Sequence, residues 1–217
     1  MADGDPVVPG SVVLGVSGPL PVILTAERTM LNLLCQLSGV ATLTAAWQRA
    51  VAGTGARVRD TRKTVPGLRE LQKYAVRCGG GVNHRMGLGD AALIKDNHVT
   101  AAGSVTAAYR AVRERCGAAV PVEVEVDTVE QAREAVAAGA ELILLDNMTP
   151  GQLRECVELG RAAGSGARFE ASGGLTLAGA AEVAATGVDY LAVGALTHSA
   201  PVLDLGLDLR TDDEVSR

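Results

Sequence analysis

Two acids and two lysines are the residues whose types and spacing promise chemistry. Glu125 and Asp146 fall near the C-terminal ends of two successive apolar segments, PVEVEVD and ELILLDN. Val122, Val124 and Val126 alternate with Glu123, Glu125 and Asp127, the period-2 pattern of a strand with one buried face, whereas Leu142 to Leu145 is a continuous run expected to be covered on both faces. Between them Val129, Ala132, Val136 and Gly139 repeat at helical spacing, with Gly139 as the stop. A right-handed βαβ unit of this kind brings both acids to one rim, where α/β folds carry their chemistry. An acid pair there suits binding of hydroxyls or of a metal ion.

The cations are distributed unevenly. The chain has seventeen arginines and three lysines, and two of the lysines, Lys63 and Lys95, fall just beyond expected strand ends. A chain that uses arginine for general surface charge keeps lysine where a compact ammonium is needed. From Arg57 to Lys95 nine basic residues face only Asp60, Glu70 and Asp90, although the net charge is −5. With 2% aromatic residues, this local excess points to small anionic substrates rather than to nucleic acid, which wants an extended basic face or stacking platforms. Arg69, Lys73 and Arg77, at helical spacing, are expected to form a solvated basic face. Arg28 is expected at the start of a helix, where the positive end of the dipole disfavours a cation and an anionic partner would compensate.

The elements that must position these groups follow a regular rhythm. Residues 1–25 are Gly/Pro-punctuated and alternating, which predicts one or two strands and a turn. A long helix is expected from Ala26 to about Val51, with Gly39 as a candidate break. Strands are expected to end near Asp60, Lys95, Glu125, Asp146, Ser172 and Gly194, most of them followed by a helical segment. Two of these ends run into small residues, Ser172-Gly173-Gly174 and Gly194-Ala195-Leu196. Such loops let a phosphate approach backbone N–H groups, although glycines there serve equally well as turns, and α/β barrels place phosphate sites after late strands. The fold class is therefore α/β, an atypical barrel of about six parallel strands. No zinc or disulfide pattern is visible in Cys35, Cys78, Cys116 and Cys156, which fits a reducing cytoplasm. The apolar start from Val7 to Leu24 is broken by prolines and is expected neither to span a membrane nor to direct export. His98 and His198 are read as structural. No nucleophilic triad is indicated by the histidines.

Cations, paired acids and glycine loops on one rim suit a phosphorylated sugar with an anionic leaving group. At this point whole motifs carry a resemblance. ERTMLNLLCQLSGVAT, DTRKTVPGLRELQKYAVRCGGGVNHRMGLGDAALIKDNHV, EVEVD, ILLDN, ASGG and VGALTHS, in this order, resemble the quinolinate phosphoribosyltransferase family from Gly10 to Asp208.

The resemblance implies an α/β barrel at residues 28–200, part of a small flanking α/β domain at 1–27, and a C-terminal segment at 201–217 that returns to the flanking domain and has a disordered end. It implies transfer of phosphoribosyl from phosphoribosyl pyrophosphate to quinolinate, with loss of CO2, in a cytoplasmic homodimer or higher oligomer using Mg2+. Quinolinate's carboxylates would be met by Thr61, Arg62, His84, Arg85 and a partner-donated Arg28. Lys63 and Lys95 would face phosphoribosyl pyrophosphate. Glu125 and Asp146 would hold its ribose and the magnesium, and Ser172, Gly173, Gly174, Gly194, Ala195 and Leu196 its phosphate. Family members have a longer segment before the ERTMLN helix, so the flanking domain is expected to lack its first half. A paralogous phosphoribosyltransferase-like protein associated with molybdenum transport and an inactive ligand-binding remnant are the alternatives.

Overall fold

In the computed structural model, which describes residues 1–210, the order is α1 (Leu20–Ala50), β1 (Arg57–Arg59), α2 (Arg69–Cys78), β2 (Ala92–Ile94), α3 (Asp96–Ala102), α4 (Val105–Cys116), β3 (Val122–Val126), α5 (Val129–Ala137), β4 (Leu142–Asp146), α6 (Pro150–Ala162), β5 (Arg168–Ser172), α7 (Ala180–Ala184), β6 (Tyr190–Ala192) and α8 (Ala195–His198). The disordered end expected within 201–217 concerns residues 211–217, which lie outside the described residues. All six strands are parallel, in the order β1-β6-β5-β4-β3-β2. The ladder is not closed between β1 and β2; Val82 instead makes a parallel bridge to Arg59.

Side-chain contacts show that this sheet is curled. In a flat sheet β1 and β3 would lie about 19 Å apart, four strand spacings. Yet Arg59 Nη1 on β1 is 3.9 Å from Glu123 Oε1 on β3, a reach that only a barrel-like curvature allows. Glu123, Glu125, Glu170 and Ser172 therefore point to the interior, while Val122, Val124, Ile143, Leu145 and Phe169 pack outward among the helices. The Val/Glu alternation of β3 thus marks a strand buried on both faces, and the charged face is the interior one: Glu123 is buried as fully as its valine neighbours.

Two N-terminal expectations are corrected. The described residues before Leu20 contain no strand, and α1 begins six residues earlier than periodicity suggests because Pro19 and Pro21 fit a helix start, where no N–H is needed. Arg28 consequently sits beyond the first two turns, so the dipole argument made for it does not hold. Nor does Gly39 break the helix. A Cβ there would lie 2.0 Å from the carbonyl oxygen of Pro201, so the glycine admits the C-terminal segment, which also bonds Leu203 N–H to Cys35 O at 3.0 Å. The C-terminal segment returns along α1. That helix is long and apolar enough to cross a membrane by length and composition, but Val40, Thr44 and Trp47 pack its second half into the core.

The basic face expected on α2 is also corrected. Of its three cations Arg77 is exposed as expected, but Arg69 is half-buried and Lys73, together with Gln72, is fully buried, so the helix turns part of its polar side inward. That rotation follows from what lies beneath it, the loops after β1 and before β2.

Candidate active site

The loop after β1 is held from three sides. Arg69 on α2 donates through Nε to Thr64 Oγ1 (3.0 Å), through Nη2 to the carbonyl of Arg62 (3.3 Å) and through Nη1 to that of Met86 (3.3 Å). It therefore ties the Thr61–Thr64 loop to the His84–Met86 loop. Gln72 accepts from Val65 N–H and donates to Thr197 O. Thr197 Oγ1 in turn donates to Lys63 O at 2.8 Å, and Thr61 Oγ1 accepts from Lys63 N–H at 3.0 Å. Through these bonds Lys63 is carried to the start of α8. Gly194 packs closely there: a Cβ would lie 3.1 Å from both Lys63 Cδ and His198 Nε2. Lys63 and the Gly194-Ala195-Leu196 loop are thus neighbours, with the Leu196 side chain buried and only backbone available to a ligand.

A second clamp fixes the loop before β2. Buried Asp60 accepts from Lys73 Nζ, from His84 N–H (2.8 Å) and from Asn83 Nδ2 (2.5 Å). Lys73 Nζ also donates to His84 O at 2.9 Å. Burial lowers the Lys73 pKa from its ordinary value, and the hydrogen bond and charge of Asp60 oppose that shift. His84 Nδ1 accepts the N–H of Arg85 at 2.8 Å, and Nε2 donates toward Glu123 Oε2 at 2.9 Å. Both ring nitrogens are occupied within the protein. The Nδ1 contact fixes the Arg85 backbone beside the ring.

Arg62 and Arg85 face each other's field. Arg85 donates through Nη1 to Ala91 O at 2.9 Å, yet the Nε of each arginine is buried without a partner among the described residues. Burial first, and then the charge of Arg62, push the Arg85 pKa down. Two close guanidiniums with orphaned buried donors form an arrangement that an anion completes.

The acids stand on the same rim. Lys95 Nζ lies 2.5 Å from Glu125 Oε2, a half-exposed pair. Asp146 accepts from Asn147 Nδ2 at 2.7 Å. Asn147 takes a left-handed backbone (φ 54°), and Gly173 (φ +89°) admits it so closely that a Cβ would lie 2.3 Å from Asn147 Oδ1. The β4 and β5 ends are thereby locked, with Asp146 in register with Ser172. Glu125 and Asp146 each keep one carboxylate oxygen without a hydrogen-bond partner among the described residues. Hard oxygen donors at a partly open rim fit Mg2+, which binds through one or two carboxylates and substrate phosphates.

The fold gathers Thr61, Arg62, Lys63, His84, Arg85, Lys95, Glu125, Asp146 and the two glycine loops at the C-terminal ends of the strands. It does not bring Arg28 to them: that side chain is 76% exposed, and its one ion pair among the described residues is a 3.9 Å contact with Glu27. Sequence reasoning missed Arg59, Asp60, Lys73, Glu123 and Glu170, which hold the rim from below. Strand parity was a usable signal for two of them, since Glu123 shares a face with Glu125 and Glu170 with Ser172.

Comparison with known proteins agrees with this geometry. The model of the quinolinate phosphoribosyl transferase C-terminal domain matches residues 40–208, and that of the N-terminal domain matches residues 1–38. The chain is 58% identical over 207 residues to a nicotinate-nucleotide pyrophosphorylase [carboxylating] from Mycobacterium leprae, covering 95% of this chain and 72% of the relative. It is 45% identical over 212 residues to a probable nicotinate-nucleotide pyrophosphorylase [carboxylating] from Bacillus subtilis, covering 98% and 72%. The crystal structure of NadC from Streptococcus pyogenes superposes with a TM-score of 0.89 at 43% identity, covering 94% of this chain and 70% of that one.

Proposed function

The chain belongs to the quinolinate phosphoribosyltransferase family, and from that premise we propose that its rim joins quinolinate to phosphoribosyl pyrophosphate, giving nicotinate mononucleotide, pyrophosphate and CO2 in the synthesis of NAD. The observation that carries this reading is the pair Arg62 and Arg85, half-buried, mutually repelling and each with an orphaned Nε. A ligand with two adjacent carboxylates supplies the missing acceptors and cancels the repulsion.

In the first step the pyridine nitrogen forms a bond to the anomeric carbon as the bond to pyrophosphate breaks. Lys63, pinned over Gly194, and Lys95 stand where leaving-group charge grows. Lys95 exchanges Glu125 for that charge, a change that a half-exposed pair permits at little cost. Glu125 and Asp146 accept from the ribose hydroxyls, and Ser172 to Gly174 with Gly194 to Leu196 present backbone N–H groups to the 5-phosphate. Mg2+ held by Glu125 and Asp146 with the substrate phosphates would supply charge neutralisation to the pyrophosphate. In the second step the bond from the ring to the 2-carboxylate breaks. Its electron pair stays on the ring carbon, stabilised by the cationic ring nitrogen, and a solvent proton replaces CO2. The protein's contribution is positioning and electrostatics.

Discrimination between one and two carboxylates tests the arginine pair. Calorimetry should give quinolinate at least about tenfold tighter binding than nicotinate, the value of one additional charge-assisted bidentate contact; equal affinities would remove the basis of this reading.

The same reading places the protein in the cytoplasm, consistent with four free cysteines, and makes it a homodimer or a higher oligomer in which Arg28 enters the partner's site. Mixing Arg28→Ala and Lys95→Ala chains tests the shared site. In an exchanging dimer roughly half the molecules are mixed, each with one intact site of two, so about a quarter of the activity should return. No recovery from a dimer shown to exchange would exclude a shared site.

A further inference from the structure

Beneath the rim the barrel interior encloses a cluster that the reaction does not use directly. Arg59 from β1 binds Glu170 Oε2 from β5, lies 3.9 Å from Glu123 Oε1, and stacks 4.8 Å from the ring centre of Tyr190 on β6. His84 Nε2 lies 2.9 Å from Glu123 Oε2 and 3.5 Å from Glu170 Oε1. Glu170 is 0% exposed and Glu123 is 4% exposed. His84 accepts the Arg85 N–H, and Arg59 is the guanidinium set against the two buried carboxyl groups. Glu123 Oε1 and Glu170 Oε1 have no hydrogen-bond partner among the described residues. Two orphaned oxygens on buried carboxyl groups describe a site that lacks one donor.

A metal ion is poorly suited to be that donor. The ligand atoms of His84, Glu123 and Glu170 lie within 4.8 Å of one another, but Arg59 already supplies the cation and His84 offers an N–H instead of a lone pair. A proton suits the site. Burial, and then the charge of Glu123, raise the Glu170 pKa to about 7 against the opposing pull of Arg59 and His84. Its partners in register are uncharged at neutral pH, Leu144 on β4 and Tyr190 on β6.

We propose that Glu170 is a positioning residue that takes up a proton as the dicarboxylate settles on Arg62 and Arg85, acting on Arg85 through Glu123 and His84. The proposal rests on the quinolinate reading of that site. Without ligand, the charge of Arg85 is balanced in part by Glu123, and the charge of Glu123 acts in turn on Glu170. A dianion cancels the field of the two arginines and favours the protonated form, which can donate to the orphaned acceptor and keep the Glu123–His84–Arg85 chain in place. Binding therefore consumes protons, so quinolinate affinity is flat well below pH 7 and falls as pH rises through it.

Quinolinate titrations of the unmodified chain near pH 7, in two buffers of different ionisation enthalpy, measure the uptake. We expect about half a proton per site, and loss of up to about tenfold in affinity per pH unit above 8. Glu170→Gln keeps the shape of the protonated acid and should bind quinolinate without uptake and with a pH-independent affinity. A merely structural role for Glu170 would leave the uptake unchanged. Binding to the unmodified chain with no proton uptake, or uptake retained in Glu170→Gln, would overturn the proposal while leaving the quinolinate reading intact; no quinolinate binding at all would overturn both. If the variant does not fold, infrared difference spectra of the unmodified chain decide: quinolinate should add a protonated-carboxyl band, and its absence contradicts the assignment.

Discussion

Lys73–Asp60 and Lys95–Glu125 are the same chemical pair in two regions of one barrel. The first is wholly buried, and its members are saturated by Asn83 and the His84 backbone. The second sits at the rim, its lysine 48% and its glutamate 17% exposed. Burial decides what each can do. A buried pair cannot let go, because either charge alone in the interior is costly, whereas a rim pair trades one partner for another at small cost. Lys73 is therefore fixed in the scaffold, whereas Lys95 is free to take the role proposed for it at the rim.

Removing each lysine should separate these roles. Lys73→Ala leaves Asp60 buried and uncompensated, and should destabilise the fold by about 3–5 kcal/mol, read as a large drop in the denaturation midpoint. A loss below 1 kcal/mol would mean that water reaches Asp60 and that the contrast in burial is false. Lys95→Ala and Lys63→Ala should leave the midpoint nearly unchanged and lower turnover by about 10²-fold; near-normal turnover in both would remove them from the chemistry.

Arg85→Lys sharpens the comparison within the rim. An ammonium retains the charge but loses the planar fork and the Ala91 anchor, so quinolinate binding should weaken by about tenfold with phosphoribosyl pyrophosphate binding little changed. Equal losses for both ligands would make Arg85 part of the scaffold.

The two regions also differ in how far the sequence reveals them. Lys63, Lys95, Glu125 and Asp146 are legible because they interrupt apolar periodicity at strand ends, where a charge has few structural uses. Lys73 is not: Arg69, Lys73 and Arg77 have the spacing of a solvated helix face, and only the loops packed on α2 draw Arg69 and Lys73 inward while Arg77 stays exposed. Glu123 is obscured for a related reason. Alternating charge on a strand reads as solvent exposure, yet in a barrel the alternate face is the interior, where Arg59 and His84 take the place of water. At the N-terminus, valine-rich alternation suggests strands that find no partner among residues 1–19, while two prolines that look like breakers begin the longest helix. The barrel's strand order is legible as a βα rhythm, but its curvature becomes evident only from contacts between β1 and β3.

The most direct measurement follows both products of one turnover. The chain is incubated with quinolinate labelled at its 2-carboxylate, phosphoribosyl pyrophosphate and Mg2+, and labelled CO2 and pyrophosphate are counted together with nicotinate mononucleotide. The account predicts all three in equal amounts, and their joint loss in Lys95→Ala while Lys95→Ala still melts like the unmodified chain. Pyrophosphate released without CO2, or no product from a chain that binds both substrates, would contradict it.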